Sequence, residues 1–113
     1  MSSNCLFCRI VRKEISATIV AEDEHCVAFR DINPQAPVHI LVIPREHVDS
    51  LDKARDADLL GRVLLLAAEI ARQEGISDGG YRIVFNTNAG AGQTVFHLHA
   101  HVLGGRQMTW PPG

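Results

Sequence analysis

The sequence predicts an antiparallel α+β domain, and three observations carry that expectation. Five short apolar runs have strand length, one segment alone (58–74) sustains a helical period, and the links are too short for parallel crossovers except across that helix. At 113 residues, 46% of them hydrophobic, the chain can build one core but not two. Residues 1–113 are therefore read as a single domain, with residues 104–113 as its tail.

Leu6, Phe7, Ile10 and Val11 recur at helical spacing and predict a short helix over 5–12, ahead of the polar Lys13-Glu14. Residues 19–22 and 26–30 read as strands joined through Asp23-Glu24-His25, an ordinary hairpin signal. Asn33-Pro34-Gln35-Ala36-Pro37 is a loop made rigid by two prolines, and a third strand over 39–43 is stopped by Pro44. In the long helix, which Gly75 is placed to end, Arg62, Glu69, Arg72 and Gln73 share one narrow polar stripe. Apolar side chains cover most of the remaining surface, enough for two contacts. One serves the sheet; the second is expected to meet a second copy of the chain, unless a loop or the short helix covers it. Strands over 81–86 and 94–103 complete the set, and the Gly- and Pro-rich tail is expected to be irregular.

A net charge of -2 and a pI near 6.3 give no basic field for a nucleic-acid polymer, while mononucleotides remain open. No apolar run approaches the ~20 residues that span a bilayer, and no secretory signal precedes the first charges. Three cysteines, two of them in Cys5-Leu6-Phe7-Cys8, fit a reducing compartment better than a disulfide framework. A cytoplasmic protein without a membrane partner is expected. Cys26 reads as a small buried side chain.

The most informative run is Phe96-His97-Leu98-His99-Ala100-His101-Val102-Leu103. On a strand, His97, His99 and His101 line one face while Phe96, Leu98, Ala100 and Val102 line the other. Imidazole titrates near neutrality, shuttles protons, binds metals and acts as a nucleophile, so three in register point to chemistry rather than to a solvated face. Just before them, Asn86-Thr87-Asn88-Ala89-Gly90-Ala91-Gly92-Gln93-Thr94 offers small residues that let backbone N–H groups approach an anion, with Gln93 and Thr94 as side-chain donors. It lacks the Gly-Lys-Ser/Thr ending of a Walker loop. An imidazole beside phosphate-holding donors can attack phosphorus and form a phospho-histidine that water resolves. His99, flanked by two further imidazoles, is the natural nucleophile.

The run His97-Leu98-His99-Ala100-His101-Val102-Leu103 resembles the histidine-triad motif. Gly104-Gly105-Arg106-Gln107-Met108, followed by Trp110-Pro111-Pro112-Gly113, resembles the C-terminus of the Hint branch of that superfamily. The likeness extends to residues 29–39 and to Leu41-Val42-Ile43-Pro44, and so to nearly the whole chain. It implies the HIT-like fold: a five-stranded antiparallel sheet with one long and one short helix, extended by dimerisation. It also implies a homodimeric purine nucleoside phosphoramidase that converts adenosine or guanosine 5′-phosphoramidates to the nucleoside monophosphate and an amine.

By that resemblance His99 carries the nucleotidyl intermediate, and His97, His101 and His39 complete the catalytic set. Asp31 would bond the ribose hydroxyls, with Ile32, Phe7, Ile10 and Leu41 around the base or sugar. Asn86, Gly92, Gln93 and Thr94, with His99 and His101, would hold the phosphate and neighbouring groups, and Trp110 would approach the partner's site. Core packing explains Phe7, Ile10 and Leu41 equally well, capping of the Asn33-Pro34 turn explains Asp31, and an idle tail explains Trp110. Thr94 is a departure, since many Hint proteins carry serine there; the hydroxyl is kept, and the methyl stiffens χ1.

Zinc commonly takes two cysteines and two histidines. Some histidine-triad proteins pair such a Cys-x-x-Cys with two histidines, whose matches here are His47 and His97. Cys5, Cys8, His47 and His97 therefore form a structural-zinc hypothesis, with no cofactor required for catalysis. Its alternative is a pair of simple thiols. Two competing functions stay open: a dinucleotide-polyphosphate hydrolase or nucleotidyltransferase of another histidine-triad branch, against which the Trp-Pro-Pro-Gly tail argues, and a non-enzymatic nucleotide- and zinc-binding interaction protein.

Overall fold

The structure, a computed structural model, describes residues 4–113; the first three residues of the expected domain lie outside it. Helix α1 (Leu6–Val11) leads into strands β1 (Ile19–Glu22), β2 (Cys26–Arg30) and β3 (Val38–Pro44). Helix α2 (Ala57–Gln73) follows, then β4 (Tyr81–Val84) and β5 (Ala100–Gly104). The sheet order is β1-β2-β3-β5-β4 with every neighbouring pair antiparallel. The expected α+β architecture is present with every predicted helix and strand in its expected order, and two short 3₁₀ turns, Leu51–Lys53 and Ala89–Ala91, join them.

Alternation along the strands divides the molecule into two layers. Cys26, Ala28, Ile40, Val42, Ala100 and Val102 point to one face, where α2 buries Val63, Leu66, Ala67, Ile70 and Ala71 against them. Val27, Phe29, Leu41 and Ile43 point to the other, where Phe7 and Ile10 of α1 meet them. Helix α1 therefore covers the face opposite α2 and cannot cover the second apolar side of the long helix. Leu64 and Leu65 of that side are exposed.

Both helices begin on side-chain caps, Cys5 Sγ accepting from Cys8 N at 3.3 Å and Asp56 Oδ1 accepting from Leu59 N at 3.1 Å. The chain turns out of α2 at Gly75, whose φ of +75° an L side chain resists. Gly104 answers a different need. A Cβ there would lie 2.6 Å from Ile76 Cδ1, so only glycine lets β5 pass the residue that closes the core.

Two strands are shorter than the sequence predicts. The fourth ends at Val84 rather than at residue 86, and the fifth starts at Ala100 rather than at residue 94. The ladder runs out: β4 pairs no further than Val84 with His101, and β3 no further than Val42 with Ala100. Beyond that point His97 Nε2 takes the carbonyl of Pro44 at 2.8 Å and Leu98 N turns to Val48 O at 2.6 Å. Phe96, expected in the core, is half exposed, and Gly104, assigned to the tail, closes β5. Among the described residues no helix is long and apolar enough to cross a membrane.

Candidate active site and metal centre

The three histidines divide between two clusters. His99 and His101 reach a cavity of about 380 Å³ on the α1 face, together with Phe7, Ile10, Asp31, Ile32, Leu41 and Thr94. His97 is wholly buried behind it, among Cys5, Cys8 and His47. A larger cavity of about 520 Å³ lies around residues 44–60, and none of the histidines expected to be catalytic lines it.

Backbone hydrogen bonds fix which nitrogen of each ring carries a proton. Gln35 N donates to His39 Nδ1 at 3.0 Å, which leaves the neutral ring protonated at Nε2. That nitrogen lies 2.9 Å from His101 Nδ1 and 3.4 Å from Asp31 Oδ2, so His39 donates and His101 Nδ1 accepts. His101 is consequently protonated at Nε2. His99 donates from Nδ1 to the carbonyl of His97 at 2.8 Å, which leaves the lone pair on its Nε2. Phe7 stands edge-on to the His99 ring, centroids 5.1 Å apart, and limits its tilt.

Burial pulls His99 below the ordinary imidazole range, against the opposing bond to the His97 carbonyl. Burial first, then His99 and His39, hold His101 down to about 4. Burial likewise lowers His39, with Asp31 opposing. The set is therefore neutral at pH 7, as a nucleophile must be.

The second cluster has the geometry of a four-ligand metal centre. Cys5 Sγ and Cys8 Sγ each lie 3.4 Å from His97 Nδ1, Cys8 Sγ lies 3.3 Å from His47 Nδ1, and all four atoms fall within 4.8 Å of one another. Tetrahedral zinc with ordinary Zn–S and Zn–N bonds has S···N edges of about 3.6 Å. The far nitrogens are already occupied: His97 Nε2 donates to Pro44 O at 2.8 Å and His47 Nε2 to Asp49 Oδ1 at 2.7 Å. Both Nδ1 atoms are thereby left for a metal, the usual second-layer arrangement. The donor set fits zinc. Asp31, His39 and His101 also converge, but the His39–His101 hydrogen bond and the 3.4 Å approach of Asp31 Oδ2 to His39 account for that grouping.

Other predicted residues sit elsewhere or do other work. Ile32 is wholly exposed at the cavity rim, while Asn86 and Gly92 do not line the cavity. Gln93 is buried, and its carboxamide is used within the chain: Nε2 donates to Asp49 O at 2.8 Å and Val95 O at 3.1 Å, and Oε1 accepts from Asn88 N at 2.7 Å. Asp31 Oδ1 accepts from Asn33 N at 2.8 Å, so the carboxylate does cap its turn, and Oδ2 faces His39. Trp110 is exposed and lies over Arg82, 5.9 Å from ring centroid to guanidinium carbon. Asp49, Gln35 and the Pro44 carbonyl escaped the sequence reading. Only Asp49, two residues beyond His47, left a side-chain signal that could have found it.

A protein-family model described as the HIT domain matches residues 12–108. A 14 kDa zinc-binding protein of Zea mays is 51% identical, covering 98% of this chain and 89% of its own. The crystal structure of a HIT family hydrolase from Legionella pneumophila superposes with a TM-score of 0.95 at 54% identity, covering 97% of this chain and all of the other. A histidine triad nucleotide-binding protein from Candida albicans is 29% identical with a TM-score of 0.82, over 95% of this chain and 82% of its own. The likeness thus takes in sheet, helices and histidine segment together, and the chain belongs to the HIT domain family.

Proposed function

We propose that this chain is a purine nucleoside phosphoramidase of the Hint branch, acting through a nucleotidyl-His99 intermediate. The observation that carries the reading is the 2.8 Å bond from His99 Nδ1 to the His97 carbonyl, which holds a neutral imidazole with its Nε2 lone pair available at the cavity. Nε2 attacks phosphorus, the P–N bond breaks, and the amine departs with a proton from water. The imidazolium left on phosphorus keeps its Nδ1–H on the His97 carbonyl, so the developing charge has a partner in place. Water then attacks phosphorus, the N–P bond breaks, and the nucleoside monophosphate leaves with neutral His99 restored. His101, protonated at Nε2, donates to a phosphoryl oxygen, and His39 maintains that tautomer. Asp31 at the cavity supports ribose recognition, and Phe7, Ile10 and Leu41 supply the apolar wall for a purine.

Cys5, Cys8, His47 and His97 would hold a structural zinc, a role supported by the zinc-binding relative from maize and by the two occupied far nitrogens. When bound, the ion ties α1 to the catalytic segment. A homodimer is part of the reading, supported by the exposed Leu64 and Leu65.

The test is release of a fluorescent amine from an adenosine 5′-phosphoramidate without added metal. Wild type should turn over, and His99→Ala should lose at least about 10³-fold in kcat while still binding AMP. Equal turnover by the variant would exclude His99 as the nucleophile. AMP binding without turnover in wild type would favour the interaction-protein reading.

A further inference from the structure

Residues 47–49 form a short link between the cysteine–histidine cluster and the segment ahead of the nucleophile, and bonds from both sides converge on it. On one side His47 sets Nδ1 3.3 Å from Cys8 Sγ and donates Nε2 to Asp49 Oδ1 at 2.7 Å. On the other, Leu98 N donates to Val48 O at 2.6 Å and Gln93 Nε2 to Asp49 O at 2.8 Å. Gln93 is 4% exposed, so water does not compete for these bonds.

The same carboxamide controls the loop of residues 88–93. Asn88 adopts φ +68° with ψ 175°, a conformation suited to glycine, so the surroundings must impose it. Gln93 Oε1 supplies that restraint by accepting from Asn88 N at 2.7 Å, and Gln93 N returns a bond to Asn88 O at 3.1 Å. Ala91 N to Asn88 O and Gly92 N to Ala89 O complete a closed set, so the loop is already formed ahead of Thr94 at the cavity. Every polar atom of the Gln93 side chain ends on backbone; none is left over for a phosphate.

We propose that Gln93 is a positioning residue that couples the Cys5–Cys8–His47–His97 centre to the loop beside His99, by fastening that loop to the link that carries His47. The coupling is a statement about two sites and therefore runs both ways. Whatever loosens the loop weakens metal binding, and metal removal loosens the loop by the same factor. Its effect on turnover rests on the phosphoramidase reading, whereas the coupling itself does not.

The experiment compares wild type with Gln93→Met, similar in length but without the amide, and with Gln93→Glu, which keeps size and the acceptor facing Asn88. Zinc affinity is measured by competition with a chromogenic chelator. Amide hydrogen exchange at Ala91 and Gly92 is measured with and without zinc, and kcat and KM are measured on the phosphoramidate. Gln93→Met should bind zinc about tenfold more weakly, exchange Ala91 and Gly92 about tenfold faster, and lose about tenfold in kcat with a smaller change in KM. Removing zinc from wild type should speed exchange at the same two amides. Gln93→Glu turns an oxygen on the Asp49 and Val95 carbonyls and should move each readout in the same direction at least as far, and the wild-type exchange comparison with and without zinc carries the test if neither variant folds.

Unchanged zinc affinity in the variants, or loop exchange in wild type indifferent to zinc, would overturn the coupling and leave Gln93 a local brace. Intact coupling without turnover in wild type would instead overturn the phosphoramidase reading alone.

Discussion

His101 links the chemistry of the site to the stability of the chain. Burial, then His99 and His39, hold its imidazole at about 4 in the folded state, whereas an unfolded histidine titrates near 6.5. Above about pH 6.5 neither state binds the proton and the full stabilisation is present. As pH falls from about 6.5 towards 4, the unfolded chain takes up a proton that the folded chain refuses, and stability is lost. His101 should account for about 2–3 kcal/mol across that window, with His39 and, in metal-free protein, His97 adding in the same direction. Thermal unfolding at pH 7.5, 6 and 5 would show it as a falling Tm, and His101→Asn should flatten part of the slope; an unchanged slope would move the effect elsewhere. Cys26 gives a second prediction at this scale. Burial pushes its thiol up to about 11, so at pH 8 it should resist alkylation in the folded protein and react on unfolding, which mass spectrometry would read directly. That burial was legible from its place in an apolar strand. The work of Gln93 was not, because its partners are the carbonyls of Asp49 and Val95 and the amide of Asn88, and backbone groups carry no residue-type signal.

The elements themselves were legible because periods of 2 and 3.6 are written in side chains, while their ends depend on backbone partners brought from far along the chain. Helix α2 was readable within a residue, since Asp56 caps it and Gly75 lies just past its end. The start of β5 was not, since it is set by where the Val42–Ala100 pairing stops and by the Pro44 carbonyl going to His97 instead. The histidine alternation holds within β5, where Ala100 and Val102 face α2 and His101 the cavity, but not ahead of it, where His97 joins the cysteine cluster and Phe96 is half exposed. Two substitutions test these boundaries. Asp56→Ala should cost about 1 kcal/mol by removing the acceptor for Leu59 N. Gly104→Ala should cost about 1–3 kcal/mol by driving a methyl into Ile76, and Gly104→Ala with Ile76→Val should recover part of it. Urea unfolding with a constant m-value would measure both, and a silent Gly104→Ala would mean that Ile76 moves aside freely.

For the molecule as a whole, the α+β sheet with two helices followed from the sequence, and the family likeness covers almost all of it. The proposed association rests on surface left unfilled: Leu65 is 73% exposed and Leu64 43%, and α1 lies on the opposite face of the sheet. The protein should elute at twice the chain mass, and Leu65→Glu should shift it towards the monomer; a monomeric wild type in light scattering would remove this account of α2. The two faces of the sheet also meet different demands. Under α2 the strands present mainly Cys, Ala, Ile and Val to be packed, with Tyr81 at the margin, whereas His39, Leu41, His99 and His101 stand on the α1 side beside a cavity whose rim includes Ile32 and Thr94. Selection for a new leaving group can therefore rewrite the rim without repacking the interior, and drift in the interior can proceed without altering turnover. A library confined to Ile32 and Thr94, both exposed, should change substrate preference at nearly constant melting temperature, which would make this half of the sheet the part of the chain best able to acquire new chemistry.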